Sequence, residues 1–531
     1  MSGTFPLRPR RTIALLGGTA STTVIAACSY VLAPLGSAAA LWQTGWFPAL
    51  RQSQSAAVWA TILLTVSVFA LLGCWLLLAR SGGRPLQLRT VATAAAAWAA
   101  PLLIALPLTS RDVYSYIALG ELVRGGYNPY TSAVSILPQW QSLGVDPVWA
   151  DTVTPYGPTL IALSWLVVTV TQPLGLLGAI AGFRILMAAA LVAAAWLTVR
   201  ICRASGTDPA HALWLAYANP LTLISCVLAM HNDAVIMVAV VAALAASQSG
   251  HRLVAWVGAT IAIGAKPTSA IILPALARGV SGARQVSAPG ASAAHKASAA
   301  HGVSPTRASA TPGALARPGA TTPGQAPRGY LLFLTRCAVV TAASGAAVIA
   351  GAIAWGAQPA SWLSAMLSTP QQSRPLWFVP AQLVTGFSLA GAEAATPAWA
   401  SALGLVLTVV GLAGAAWFTL RPSGSPRQGA ALGYAAFLIG STIIWPWYMM
   451  LLFALAAVSE RAGRWMLPVT LLSVFLTGQS LAANFFDTSA MPDAFRAVFN
   501  VLPGVLGTVS ALALGAGACR ARQRGVGSLP S

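Results

Sequence analysis

Apolar runs of about 20 residues recur along the chain, parted by short polar clusters that hold most of its charge. Runs of that length match the thickness of bilayer hydrocarbon at 1.5 Å of helical rise per residue, whereas strands of a membrane barrel alternate in segments of about 10. They predict membrane helices over 13–35, 57–79, 91–108, 157–174, 179–199, 210–228, 234–248 and 253–278, the last broken at Lys266-Pro267. Further runs cover 330–356, 397–420, 429–444, 446–458, 465–484 and 497–518. The expected fold is an all-α polytopic bundle of about fourteen membrane-embedded helices.

Between the two sets of runs, 281–329 turns rich in Ala, Pro, Ser, Gly and Thr. Such a segment buries too little apolar surface to fold and reads as a disordered cytoplasmic linker. The chain thus divides into N-terminal spans (1–108), an outer loop (109–155), core helices (156–280), the linker (281–329), and C-terminal helices with outer loops (330–531). Arg8, Arg10 and Arg11 before the first run, and Arg80, Arg84 and Arg89 after the second, place the N-terminus in the cytoplasm and 109–155 outside. The first run lacks a convincing cleavage site and is expected to be a retained span. Arg200, Arg203 and Arg252 fit the charge rule only if some segments between them are half-spanning or re-entrant, which is the favoured arrangement. The C-terminal spans alternate consistently and put both termini inside.

Composition narrows the class. Only 8% of residues are charged against 57% hydrophobic, with a mean hydropathy of +0.72, which excludes a soluble globular protein, where about a quarter would be charged. The net charge of +20 would suggest nucleic acid in a soluble chain, but here the arginines flank apolar runs or sit in the linker, so no nucleic-acid partner is expected. Six scattered cysteines without a CxxC pattern indicate neither a disulfide framework nor a zinc site.

Chemistry concentrates in the outer loop. Four of the ten acidic residues, Asp112, Glu121, Asp146 and Asp151, fall there, so the loop is where catalysis is sought first. Asp112 sits in Ser110-Arg111-Asp112-Val113-Tyr114-Ser115-Tyr116, where a carboxylate among aromatic rings serves equally as a general base toward a sugar hydroxyl or as a helix cap beside interfacial tyrosines. Gly125-Gly126 marks a helix stop before Tyr127-Asn128-Pro129-Tyr130. Asp146 and Asp151 precede Pro155-Tyr156-Gly157-Pro158 and read as solvated loop carboxylates or as acceptor or metal ligands. After Asn219-Pro220 breaks a helix, His231-Asn232-Asp233 opens the next, either as a cap or as a polar group lining a cavity at membrane depth. Lys266 within an apolar run must snorkel or find an anion, and a lipid phosphate is the obvious one. Arg374, in Gln371–Trp377, is a second candidate for phosphate. Trp445-Pro446-Trp447-Tyr448 reads as an aromatic belt or a sugar platform, with the belt favoured.

Asp112-x-Tyr114-x-Tyr116, Asn128-Pro129-Tyr130, Tyr156-Gly157-Pro158, Asn219-Pro220-Leu221, His231-Asn232-Asp233 and Lys266-Pro267, in that order, resemble the actinobacterial polyprenol-phosphate-mannose-dependent α(1→6)-mannosyltransferases of the GT-C glycosyltransferase superfamily. The resemblance runs from about residue 90 to 280 and more weakly to 520, and the linker looks like an insertion in it. It implies an inverting mannosyltransferase with an extracytoplasmic first catalytic loop on the cytoplasmic membrane. The donor would be polyprenyl-phosphate-mannose, and the acceptor a glycolipid mannan, the growing α(1→6) core of lipomannan or lipoarabinomannan. It makes Asp112 the catalytic base; the candidate substrate-binding residues are Tyr114, Tyr116, Tyr130, Tyr156, His231, Asn232, Asp233, Lys266 and Arg374, and the resemblance leaves open which of Lys266, Arg374 and His231 meets the phosphate. The superfamily's acidic motif is often paired, whereas Arg111 precedes Asp112 here; no metal ligand and no required cofactor are expected, with a divalent cation left open. The competing expectations are a transporter or flippase of a lipid-linked sugar, or a related enzyme of other linkage or sugar.

Overall fold

The computed structural model describes residues 9–79, 85–282, 325–356, 398–421, 425–441, 445–481 and 489–523, and all regular structure among them is helical. Residues 283–324 of the linker expected at 281–329, and Arg374, lie outside these residues; the linker's two ends, 281–282 and 325–329, are helical rather than disordered because the flanking helices extend into them. The N-terminal part contains α1 (Pro9–Leu32), α2 (Gln54–Ala79), α3 (Leu88–Leu102), α4 (Asp112–Arg124), α5 (Pro158–Thr171), α6 (Gly175–Ser205), α7 (Pro209–Ala216), α8 (Asp233–Gln248), α9 (Arg252–Ala265) and α10 (Leu273–Gly282). Beyond the linker follow α11 (Gln325–Ala354), α12 (Ala398–Leu420), α13 (Pro426–Gly440), α14 (Met449–Val458), α15 (Met466–Gln479) and α16 (Asp493–Gln523).

Every expected apolar run therefore contains helix, yet the helices are not equivalent. Among the described residues five helical stretches are long and apolar enough to cross a membrane: Arg10–Leu32, Gln54–Ala79, Pro158–Ser205, Gly329–Ala354 and Asp493–Ala521. A sixth arises if the pair Pro209–Ala216 and Pro220–Leu228, bent by 52°, is one broken span. The bend has a local cause: Pro220 has no N–H to donate, and the Asn219 side chain takes the Leu221 N–H at 3.0 Å as a new N-cap. α8, α9 and α14 are apolar but short of a full span. The expectation of about fourteen embedded helices thus stands at five or six spanning stretches plus shorter apolar helices.

Two close contacts fix the frame around the centre. Trp75 on α2 and Trp214 on α7 stack at 4.4 Å, and each indole N–H donates to the other's carbonyl, at 3.0 and 2.9 Å. This pins α2 to α7 with both polar groups satisfied, as burial demands. At the start of α5 the backbone of Gly157 meets that of Gly264 on α9 so closely that a Cβ on Gly157 would lie 2.1 Å from the Gly264 carbonyl oxygen. Only a residue without a side chain permits that approach. It draws Tyr156, one residue before, toward Lys266, two residues after.

A buried carboxylate, histidine and lysine site

The site assembles at three interruptions of helix. Asp112 opens α4, and its backbone N–H donates to Ser110 Oγ at 3.1 Å. His231-Asn232-Asp233 lies between the bent segment and α8, and Lys266 lies between α9 and a 3₁₀ turn at Pro267–Ile272. Thr109 (φ 68°) and Met230 (φ 59°) are the two non-glycine residues with positive φ among those described; Met230 directly precedes His231, and Thr109 stands three residues before Asp112. A left-handed conformation at a buried β-branched threonine is costly, about 1–3 kcal/mol, and such strain gathers at functional sites.

From these positions the side chains converge. His231 Nδ1 lies 3.2 Å from Asp112 Oδ2, and the Tyr116 hydroxyl donates to the same oxygen at 3.4 Å. The Asn232 N–H reaches the Tyr116 oxygen at 3.5 Å, and Tyr156 meets the Tyr116 ring edge-on at 5.5 Å. Lys266 Nζ pairs with Asp233 Oδ1 at 3.1 Å and rests 3.4 Å from the centre of the Tyr448 ring. The His231 ring stacks on Trp447 at 3.8 Å, and Trp447 stacks on Trp445 at 5.0 Å.

The electrostatics give Asp112 a distinct character. Burial favours its neutral form, but the neighbouring His231, by charge and by hydrogen bond, together with Ser110 and Lys266, outweighs burial and holds its carboxyl below the usual carboxylate range. Asp112 is thus ionised at neutral pH while its side chain is 21% exposed, against 1% for His231. Behind it, His231 Nε2, Asn232 Nδ2 and Asp233 Oδ2 are buried without a hydrogen-bond partner. Three consecutive residues with one unmatched polar atom each are unusual, because buried polar groups are ordinarily satisfied. The two nitrogens and the Lys266 ammonium are groups that can serve an anionic substrate group, whereas the Asp233 oxygen serves as an acceptor. Among the described residues no group of three or more His, Cys, Asp or Glu side chains is placed to hold a metal ion.

Of the expected site residues the structure brings together Asp112, Tyr116, Tyr156, His231, Asn232, Asp233 and Lys266. It does not bring Tyr114, which is fully buried two residues along α4 and whose charged neighbours are Arg111, Arg51 and Arg184, or Tyr130, held in the turn after α4 by the Asn128 side chain. The belt reading of Trp445–Tyr448 is corrected: Trp447 is only 8% exposed and, with Tyr448, faces inward onto His231 and Lys266. Asn232 stands at the N-cap position of α8, as one expectation had it, but its side chain makes no cap hydrogen bond. Asp146 caps the short helix Pro147–Ala150 through the Val148 N–H at 3.1 Å, away from the chemistry. The anion found by Lys266 is Asp233. One residue was missed: Arg184, 3% exposed within α6, donates to the carbonyls of Leu102 (2.8 Å), Ala105 and Leu228 (3.4 Å) and ties the C-terminal ends of α3 and of the bent segment to α6. A lone cation inside an apolar run was its signal.

Taken together, these features define a helical membrane protein with a buried carboxylate, histidine and lysine site at broken helices. The family model described as alpha-(1->6)-mannopyranosyltransferase, N-terminal domain, matches residues 15–281, half of the chain and all of the residues that converge from its N-terminal part. The chain belongs to this family. It is 38% identical over 175 residues to alpha-(1->6)-mannopyranosyltransferase A of Corynebacterium glutamicum, covering 33% of this chain and 35% of that protein. It is 34% identical over 221 residues to the protein of the same name from Mycobacterium tuberculosis, covering 41% and 42%. Alpha-(1->6)-mannopyranosyltransferase B of Corynebacterium glutamicum aligns at 25% identity over 191 residues, covering 34% and 32%. The chain thus aligns with about a third to two fifths of the length of these relatives. No solved structure matches it.

Proposed function

We propose that the protein is an inverting mannosyltransferase that moves mannose from polyprenyl-phosphate-mannose to the growing α(1→6)-mannan core of lipomannan or lipoarabinomannan, on the outer face of the cytoplasmic membrane. The observation that carries this reading is the ionised, partly open Asp112 beside the unmatched polar atoms of His231, Asn232 and Asp233 and the Lys266 ammonium. Asp112 accepts the proton of the acceptor 6-hydroxyl as its oxygen attacks the anomeric carbon, and the phosphate leaves with the bonding electrons. A single displacement that yields an α linkage requires a β-configured donor. Lys266, with a nitrogen of His231 or Asn232, stabilises the charge that grows on the departing phosphate, a contribution that removal of one donor typically reveals as about 10²–10³ in rate. The Trp447 and Tyr448 rings hold His231 and Lys266 in position for this chemistry. The reaction so written requires no cofactor, and a divalent cation is left open.

The test is mannose transfer to a short α(1→6)-mannoside in membranes holding matched amounts of wild type or Asp112→Asn. Loss of about 10³-fold or more is expected, in the range of general-base catalysis. Retention of wild-type activity in Asp112→Asn removes the base assignment, and absence of transfer by the wild type with this donor and acceptor removes the reading.

A further inference from the structure

A second polar site lies at the far end of α14. That helix begins beside Trp447 and Tyr448 and ends, ten residues and about 15 Å later, at Ser459-Glu460-Arg461. There an open cavity of about 240 Å³ is lined by Arg421, Arg461 and Arg464, with Ser425, Gln428 and the ring of Phe418. Among the described residues that line it none is acidic. Glu460, the adjacent carboxylate, is engaged elsewhere: it pairs with Arg427 at 3.1 Å and accepts the backbone N–H of Arg427 and Gln428 at the start of α13. Among the described residues none of the three lining guanidiniums has a salt-bridge partner.

Gln428 is the buried polar residue of the lining. It is 9% exposed, and its carbonyl oxygen accepts from the Ser459 hydroxyl and from the Trp465 indole N–H at 3.2 Å. Those two donors fix the orientation of the amide, and the residue is part of the cavity lining. The turn bearing Arg461 and Arg464 is itself fixed, by the Arg461 N–H on Ser459 Oγ at 3.1 Å and the Arg464 N–H on the Arg461 carbonyl at 3.0 Å. α12, which contributes Phe418 to the lining, leaves Val409, Leu412 and Trp417 exposed, as suits a helix that meets lipid. Three unpaired guanidiniums, an amide and a hydroxyl match the oxygens of a phosphate group, and basic pockets between membrane helices bind anionic headgroups.

We propose that this cavity binds a phosphate-bearing anion, at the end of α14 opposite the Asp112 site and independently of sugar transfer. The test is native mass spectrometry and thermal unfolding of the delipidated full chain, titrated separately with phosphatidylglycerol, phosphatidylcholine and inorganic phosphate. The chains compared are wild type, Arg461→Gln/Arg464→Gln, and Arg252→Gln as a surface-charge control. Wild type and Arg252→Gln are expected to retain phosphatidylglycerol in preference to phosphatidylcholine, with retention about tenfold or more weaker in the double variant. Competition by inorganic phosphate assigns the site to phosphate from either source, and its failure to compete assigns it to the lipid headgroup. Equal retention by wild type and double variant, an equal loss in Arg252→Gln, or no binding of either anionic probe overturns the proposal.

Discussion

Two aspartate and histidine pairs of the same chemical kind occupy the family-matched half, and their contrast shows what makes one of them a site. Asp208 and His211 stand three residues apart at the start of α7, with Nδ1 2.5 Å from Oδ2. Asp112 and His231 stand 119 residues apart, at 3.2 Å. The shorter contact is the less consequential one. Asp208 is an N-cap that also accepts from the Ala210 N–H at 2.7 Å, and its side chain is 47% exposed, so water screens the pair and local geometry alone explains it. Asp112 faces a histidine that is 1% exposed, clamped by Trp447, and preceded by a strained Met230. Burial and unmatched atoms, rather than proximity, separate the two.

The largest effects fall on the buried group. After Asp112→Asn, Lys266→Met is next: it leaves Asp233, 1% exposed, as an uncompensated buried charge and is expected to destabilise the fold by about 3–5 kcal/mol. Adding Asp233→Asn should restore thermal stability, measured as Tm, without restoring mannose transfer. Recovery of transfer in the double variant would show that Lys266 only neutralises Asp233 and takes no part at the phosphate.

His231→Ala sharpens the contrast through pH. Burial alone would raise the Asp112 carboxyl, and His231 is the foremost of the influences that lower it. Because Asp112 must be ionised to accept a proton, wild-type kcat/KM should hold down through the usual carboxylate range and fall only below it. Without His231 the carboxyl rises, so the acid limb should move to higher pH while transfer at its plateau drops by about 10–100-fold. An unmoved acid limb would make His231 a packing partner of Trp447 and nothing more.

Much of this arrangement was legible in the sequence, and what was not has physical causes. Helix positions follow from apolar runs, and Asp112, His231-Asn232-Asp233 and Lys266 stand out because polar residues at membrane depth need a reason. Trp447 and Tyr448 were misassigned because belts and sites use the same aromatic residues, and only tertiary packing tells inward from interfacial. Arg184 escaped notice because one cation scarcely alters the hydropathy of a long run, and its carbonyl partners at Leu102, Ala105 and Leu228 come from other segments. The Gly157 and Gly264 contact, which brings Tyr156 toward Lys266, is likewise a meeting of residues far apart in the chain.

The smallest expected effect belongs to the exposed pair. Asp208→Ala removes the cap of α7 and should cost about 1 kcal/mol of stability, with a modest fall in Tm. Asp208→Asn keeps a side-chain oxygen for the Ala210 N–H, and because Asn caps about as well as Asp its Tm should be close to wild type. At matched protein levels both variants should transfer mannose at the wild-type rate with an unshifted pH profile, since nothing of Asp208 reaches the buried group. The comparison is strict because Asp208→Asn and Asp112→Asn make the same chemical change to an aspartate hydrogen-bonded to a histidine. If Asp208→Asn lowered transfer as deeply as Asp112→Asn, hydrogen bonding to histidine would be what matters and the argument from burial would fail. If only Asp112→Asn did so, the difference would measure what enclosure adds to a carboxylate.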